Sequence, residues 1–258
     1  MAPSKDMNRL GRLGVFDVVK EHCGGEVQII GRHPHWHSLL EQYRQIIVPL
    51  LRQGVRMRPT CGLHFHLIGI GLAETIPEII LANLWNMFRK YGPGLKFLTS
   101  GGNTRQGLCR RRQHNAHQEF LRQSPIDMSM REIQRRLKES PDVPEHQNFF
   151  NLEHLDLDQD GGTGRFHIEL RFPDGDLSPV SITAKTFLFL IMLLKAVEIS
   201  KFGLLHVGKI HDWNRKKELM DLISNNDGPL ATSDTTRALG FLDEYREIAR
   251  DLLRFLKS

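Results

Sequence analysis

Two segments of this chain alternate polar and apolar residues strictly enough to read as strands, and they constrain its fold more than any other feature. The first is "CGLHFHLIGIG", residues 61–71, and the second is "RFHIELRF", residues 165–172. In a strand, residues i and i+2 share a face, about 6.6–7 Å apart along the chain. Leu63, Phe65 and Leu67 therefore take the core face of the first strand, and His64 and His66 take the other. In the second, Phe166, Ile168, Leu170 and Phe172 share one face, while Arg165, His167, Glu169 and Arg171 share the opposite one. The glycine-rich stretch "DQDGGTG" (158–164) predicts a turn that makes a hairpin with this strand.

Around these strands the chain reads as a mixture of elements. "GEVQIIG" (25–31) predicts a short strand, and "NFFNLEHLDL" (148–157) an extended segment. Apolar residues at helical spacing predict helices over 37–54, 75–92 and 181–200, with a last one from Ser233 to about Lys257. A short helix lies between the prolines of 122–146. Pro49 is expected to kink or shorten the first helix, and Gly54 to stop it. Residues 1–24 read as a loosely ordered segment and 25–258 as one domain. Strands and helices mix without regular βαβ alternation, which predicts an α+β fold.

Composition narrows the function classes. Lys plus Arg exceed Asp plus Glu by only five, enough to suit anionic ligands such as nucleotides but too few to imply nucleic-acid binding. The basic stretch "RRRQHNAH" (110–117) has no interleaved aromatic residues and reads as a solvated loop. Cys23, Cys61 and Cys109 are odd in number and widely spaced, which predicts no disulfide framework and a reducing, cytoplasmic setting. The longest apolar run, Phe187–Leu194, falls far short of the roughly 20 residues that span a bilayer, so no membrane partner is expected. "DLDQDG" (156–161) begins like a calcium loop, but His167 stands where the bidentate glutamate is needed.

The polar strand faces carry the chemistry. Two imidazoles on one face can hold a divalent metal or a phosphate. Alone, the pair equally suits two solvated or hydrogen-bonded histidines. A glutamate and an arginine two residues apart suit a metal–phosphate site, with the carboxylate on the cation and the guanidinium clamping phosphate oxygens. Alone, that pattern is more often a face of cross-strand ion pairs.

Together, the motifs resemble the glutamine synthetase superfamily, and within it the amidoligase family. "CGLHFH", "NTRQGLCRRR", "NFFNLEHLDL" and "HIELRFPDGDL", followed by the apolar "FLFLIMLLKAVE", are similar to that family's segments in the same order over roughly residues 25–200. The resemblance implies a curved antiparallel sheet backed by helices. It implies an ATP-dependent carboxylate–amine ligase that forms an amide or isopeptide bond through an acyl phosphate. By position, it implies His64, Glu169 and Glu26 as ligands of Mg2+ or Mn2+, and His66 and Asn151 on the nucleotide side. Arg171 and Arg105 are implied as the phosphate- and substrate-binding arginines. The partners implied are ATP and small-molecule or peptide carboxylates and amines.

One departure bears on activity. The family's first strand carries a Glu-x-Glu pair, and the early acids here, Asp6, Asp17 and Glu21, form none. The chain thus reads as lacking that strand. The alternative is then a catalytically degenerate relative that binds nucleotide or a partner without turnover. Glutamine synthetases build active sites between subunits, so a homo-oligomer could supply the lost carboxylates from a neighbour.

Overall fold

The computed structural model describes residues 16–21, 24–29, 35–56, 62–68, 77–99, 130–139, 150–157, 163–165, 167–171, 173 and 175–205. The predicted helix over 233–257, Arg105 and the basic 110–117 stretch lie outside these residues. By their internal contacts the residues divide into two units. The first comprises 1–56 with 177–183, and the second comprises 57–176 with 184–258.

The first unit begins with a hairpin. Strand β1 (Phe16–Glu21) pairs antiparallel with β2 (Gly24–Ile29), with Val19 opposite Glu26. A strand therefore occupies part of the segment read as loosely ordered. Helix α1 (Trp36–Arg52) follows, burying Trp36, Leu39, Leu40, Tyr43, Ile46, Ile47 and Leu50 along one stripe. Pro49 does not break it. Proline removes the N–H that would bond Gln45 O, and the helix still runs three residues further, to Arg52. Gly54 then provides the stop with φ 80°. Its N–H donates to Leu51 O (3.0 Å) and the Val55 N–H donates to Leu50 O (3.1 Å). This is the double closure of a Schellman motif, with glycine in the left-handed position. Val55 completes it by packing on Ile46 and Leu50, as do Val27 and Ile29 of β2.

The second unit is built on a three-stranded antiparallel sheet in the order β3-β7-β4. Strand β3 is Phe65–Ile68, β4 is Phe150–Asn151 and β7 is His167–Leu170. Leu170 stands between Phe65 and Phe150, and Glu169 between His66 and Asn151. The extended segment expected over 148–157 is not one strand. A turn, with Leu155 N donating to Leu152 O at 3.0 Å, separates β4 from β5 (Asp156–Leu157). Strand β5 pairs antiparallel with β6 (Thr163–Arg165), so the strand that follows the glycines takes up residues expected in the turn. The single strand expected over 165–172 is likewise two, because β6 pairs with β5 while β7 joins β3 and β4.

Helices back the apolar face of the sheet. Phe65 meets Phe189 with ring centroids 4.8 Å apart, and Phe150 is met edge-on by Trp85 (5.3 Å) and Phe88 (5.0 Å). Such tilted and edge-to-face pairs add to the area they bury. Trp85 and Phe88 belong to α2 (Glu78–Thr99), and Phe189 to α4 (Pro179–Ser200). Helix α2 continues past its expected end through Gly92-Pro93-Gly94. Tyr91, Leu95 and Leu98, at helical spacing, are buried across that weak stretch, so tertiary packing overrides local propensity. Helix α4 starts earlier than expected. Ser178 Oγ accepts from Ser181 N (3.3 Å) as an N-cap, and Pro179 takes the first helical position. Among the described residues, α4 alone is long and apolar enough to cross a membrane, yet 67% of its most apolar window is buried within the protein.

Helix α3 (Met130–Glu139) props the turn after β4. Gln134 donates to Leu152 O (2.8 Å) and to Leu155 O (2.9 Å). Asn83, fully buried on α2, fixes the chain leaving α4: it donates to Gly203 O (2.9 Å) and accepts from Leu205 N (2.7 Å). The loop after β7 is tied to α4 by a buried ion pair, Lys185 Nζ to Asp176 Oδ2 at 2.9 Å. The side chains of Lys185 and Asp176 are 1% and 8% exposed, so removing one charge takes an ionic partner from the other in a place shielded from water. Lys185→Met is expected to cost about 3–5 kcal/mol in urea unfolding, with part of the loss recovered when Asp176→Asn is added.

Candidate functional site

The polar face of the β3-β7-β4 sheet gathers five of the seven residues singled out in the sequence. Because His66, Glu169 and Asn151 stand opposite one another on adjacent strands, their side chains share one face in a row. His64 lies two residues before His66, and Arg171 two after Glu169, which places both on the same face. The backbone reinforces that end of the sheet, with Leu63 N donating to Pro173 O at 3.3 Å.

Glu169 is the centre of the group and is nearly buried, its side chain 6% exposed. His64 Nδ1 lies 3.0 Å from its Oε1, Arg171 NH1 donates to the same oxygen at 2.8 Å, and His66 Nε2 stands 3.7 Å from it. Asn151 Nδ2 donates to the other oxygen, Oε2, at 2.8 Å. The resemblance puts Asn151 on the nucleotide side, and in the structure it meets Glu169. Its amide nitrogen orients the carboxylate, while its Oδ1 accepts from Glu153 N (3.0 Å) and closes the turn after β4.

Opposing influences act on this carboxyl. Burial pushes its pKa up, but hydrogen bonds from His64 and Asn151, with the positive charge of Arg171 and His64, outweigh burial and hold it down at about 2. Glu169 therefore stays an anion through the physiological range.

Two histidines outside the candidate set complete the face. His167 Nε2 lies 2.9 Å from His66 Nδ1, and the His154 ring stacks on His167 with centroids 4.9 Å apart. The alternation places His167 on the polar face in advance. His154 sits in a turn whose geometry depends on Asn151 and Gln134, and nothing in its sequence neighbourhood marks it.

The remaining candidates are placed differently. Glu26 lies on β2, in the first unit, and Arg105 is outside the described residues. Among the described residues, no group of three or more His, Cys, Asp or Glu side chains is disposed to hold a metal ion. The 3.0 Å between His64 Nδ1 and Glu169 Oε1 does match the spacing of two adjacent ligands about 2.0–2.2 Å from a shared cation. His64 and Glu169 could hold an ion only if its other ligands came from outside the described residues.

A pH dependence follows from Glu169. Its pKa in the folded state is below the ordinary 4.5, so its stabilising effect is complete above that value and fades as pH falls from about 4.5 toward 2. The expected loss is about 2–3 kcal/mol over that window in urea unfolding, and Glu169→Gln flattens the dependence there. Compared with protein families, curated proteins and solved structures, the chain matches none.

Proposed function

We propose that the chain is an ATP-dependent carboxylate–amine ligase of the amidoligase type, with a glutamine-synthetase-like sheet. The observation that supports this most is the convergence of His64, His66, Asn151 and Arg171 on the carboxylate of Glu169, from β3, β4, β7 and the residues that flank them. An ordinary surface of cross-strand ion pairs does not bury its carboxylate under four partners.

In the proposed reaction, an oxygen of the substrate carboxylate attacks the γ-phosphorus of ATP. The bond to the β-phosphate oxygen breaks and ADP leaves, giving an acyl phosphate. The amine nitrogen then attacks the acyl carbon, inorganic phosphate departs and the nitrogen loses a proton. Both steps bring negative groups together, so the catalytic need is fixed positive charge where they meet. Arg171 commits NH1 to Glu169, and a guanidinium has further N–H donors with which to bind phosphate oxygens. His66, whose side chain is 39% exposed, stands at the edge where phosphate would lie. Mg2+ or Mn2+ held by His64 and Glu169 would supply charge neutralisation at the γ-phosphate. Arg105 is proposed as a further substrate contact.

A second reading, nucleotide binding without turnover, is favoured by one observation. Glu169 is the one carboxylate that the described residues bring to the site, and the chain has no Glu-x-Glu strand to add others. Calorimetry with Mg-ATP is expected to show binding that Glu169→Ala weakens by roughly a hundredfold, the scale for truncating one partner of a buried charge cluster. Equal binding by both proteins would remove the site from consideration. ADP release that needs both an acid and an amine supports the ligase. Binding with no ADP release under any pairing supports the degenerate reading.

A further inference from the structure

Resting on the reading of this face as a phosphate site, we propose that His167 is a positioning residue that fixes His66 in the tautomer with its proton on Nε2. Neither the Glu169 cluster nor the implied ligand set assigns His167 any part.

A neutral imidazole has one N–H and one lone pair, and which nitrogen carries the proton is set by what the other one meets. His66 has its two nitrogens in unlike surroundings. Nε2 is 3.7 Å from Glu169 Oε1, the carboxylate oxygen that Arg171 NH1 meets at 2.8 Å. An N–H directed toward that anion is favoured over a lone pair. Nδ1 lies 2.9 Å from His167 Nε2, so one of these nitrogens must donate and the other accept. With the His66 proton on Nε2, its Nδ1 accepts and His167 Nε2–H donates.

The ring that donates is itself held in place. His167 is on the central strand, opposite Ile68, two residues before Glu169. Its ring is stacked by His154 at 26° between planes and tilted at 55° to that of His66, with centroids 5.2 Å apart. His154 in turn belongs to the turn that Gln134 of α3 grips through Leu152 O and Leu155 O. Stacking thus sets the plane of His167, and that plane aims its Nε2–H at His66. The consequence at the half-exposed edge is a fixed N–H on His66, suited to donate to an oxyanion such as a phosphate oxygen.

His167→Phe keeps an aromatic ring for His154 and removes the donor. His167→Gln puts an amide nitrogen close to where Nε2 was. Nitrogen NMR of the full chain, with the His66 resonances assigned by comparison with His66→Gln, reads the tautomer directly. In the unmodified protein, His66 Nδ1 is expected to be unprotonated and Nε2 protonated. In His167→Phe that preference is expected to be lost, with Mg-ATP binding weakened about tenfold, while His167→Gln keeps most of both. A protonated Nδ1 on His66 in the unmodified protein overturns the proposal, as does an unchanged tautomer in a folded His167→Phe. If His167→Phe does not fold, the tautomer of the unmodified protein and of His167→Gln decides. The expected tautomer without any Mg-ATP binding would overturn the phosphate-site reading and leave the pairing of the two histidines standing.

Discussion

A single ionised carboxylate, nearly buried on the central strand of a small sheet, organises the second unit. An isolated carboxylate at that depth is costly, and in most buried positions the group picks up a proton instead. Glu169 remains charged because His64, Arg171 and Asn151 meet both of its oxygens. Those partners arrive from β4 and from the segments flanking β3 and β7. The charge is therefore tolerated only when the sheet is assembled, and the assembled sheet is what brings the imidazoles and the guanidinium together.

The two faces of the sheet divide the work. One carries Phe65, Leu170 and Phe150 against Trp85, Phe88 and Phe189, and supplies the apolar contact that holds strands of only two to four residues in place. The other carries the polar row. Side-chain amides hold the surrounding irregular chain: Asn83 grips 203–205, Gln134 grips the turn at 152–155, and Asn151 joins that turn to the carboxylate. Each replaces a backbone partner that a short sheet cannot offer.

Much of this was legible in the sequence because strand alternation has a period of two. That period alone separated His64 and His66 from Leu63 and Leu67, and Glu169 and Arg171 from Ile168 and Leu170. The α+β class, Gly54 as a helix stop and the glycine hairpin were also readable from local chemistry. What was not readable depended on contacts distant in sequence. Helix α2 crosses Gly92-Pro93-Gly94 because Leu95 and Leu98 bury beyond it. The role of Asn151 exists only beside Glu169, and His154 reaches the site through a turn held by another helix. Ser178 and Pro179 carry the start signal of α4, a cap followed by a first-turn proline, ahead of its apolar run.

The alignment of β3, β7 and β4 leaves this sheet almost no latitude in assembly. Sliding β7 by one residue would thrust the carboxylate of Glu169 among Phe65, Phe150 and their aromatic neighbours, and would lift Ile168 or Leu170 into the polar row. Sliding it by two would keep the faces correct but seat an imidazole or a guanidinium between His66 and Asn151, where Asn151 and the other partners of Glu169 would find no carboxylate to meet. The ionised residue thus acts as a proofreader of strand alignment as well as the anchor of the polar row. Inserting or deleting one residue within β7 would be far more damaging than altering any single side chain there.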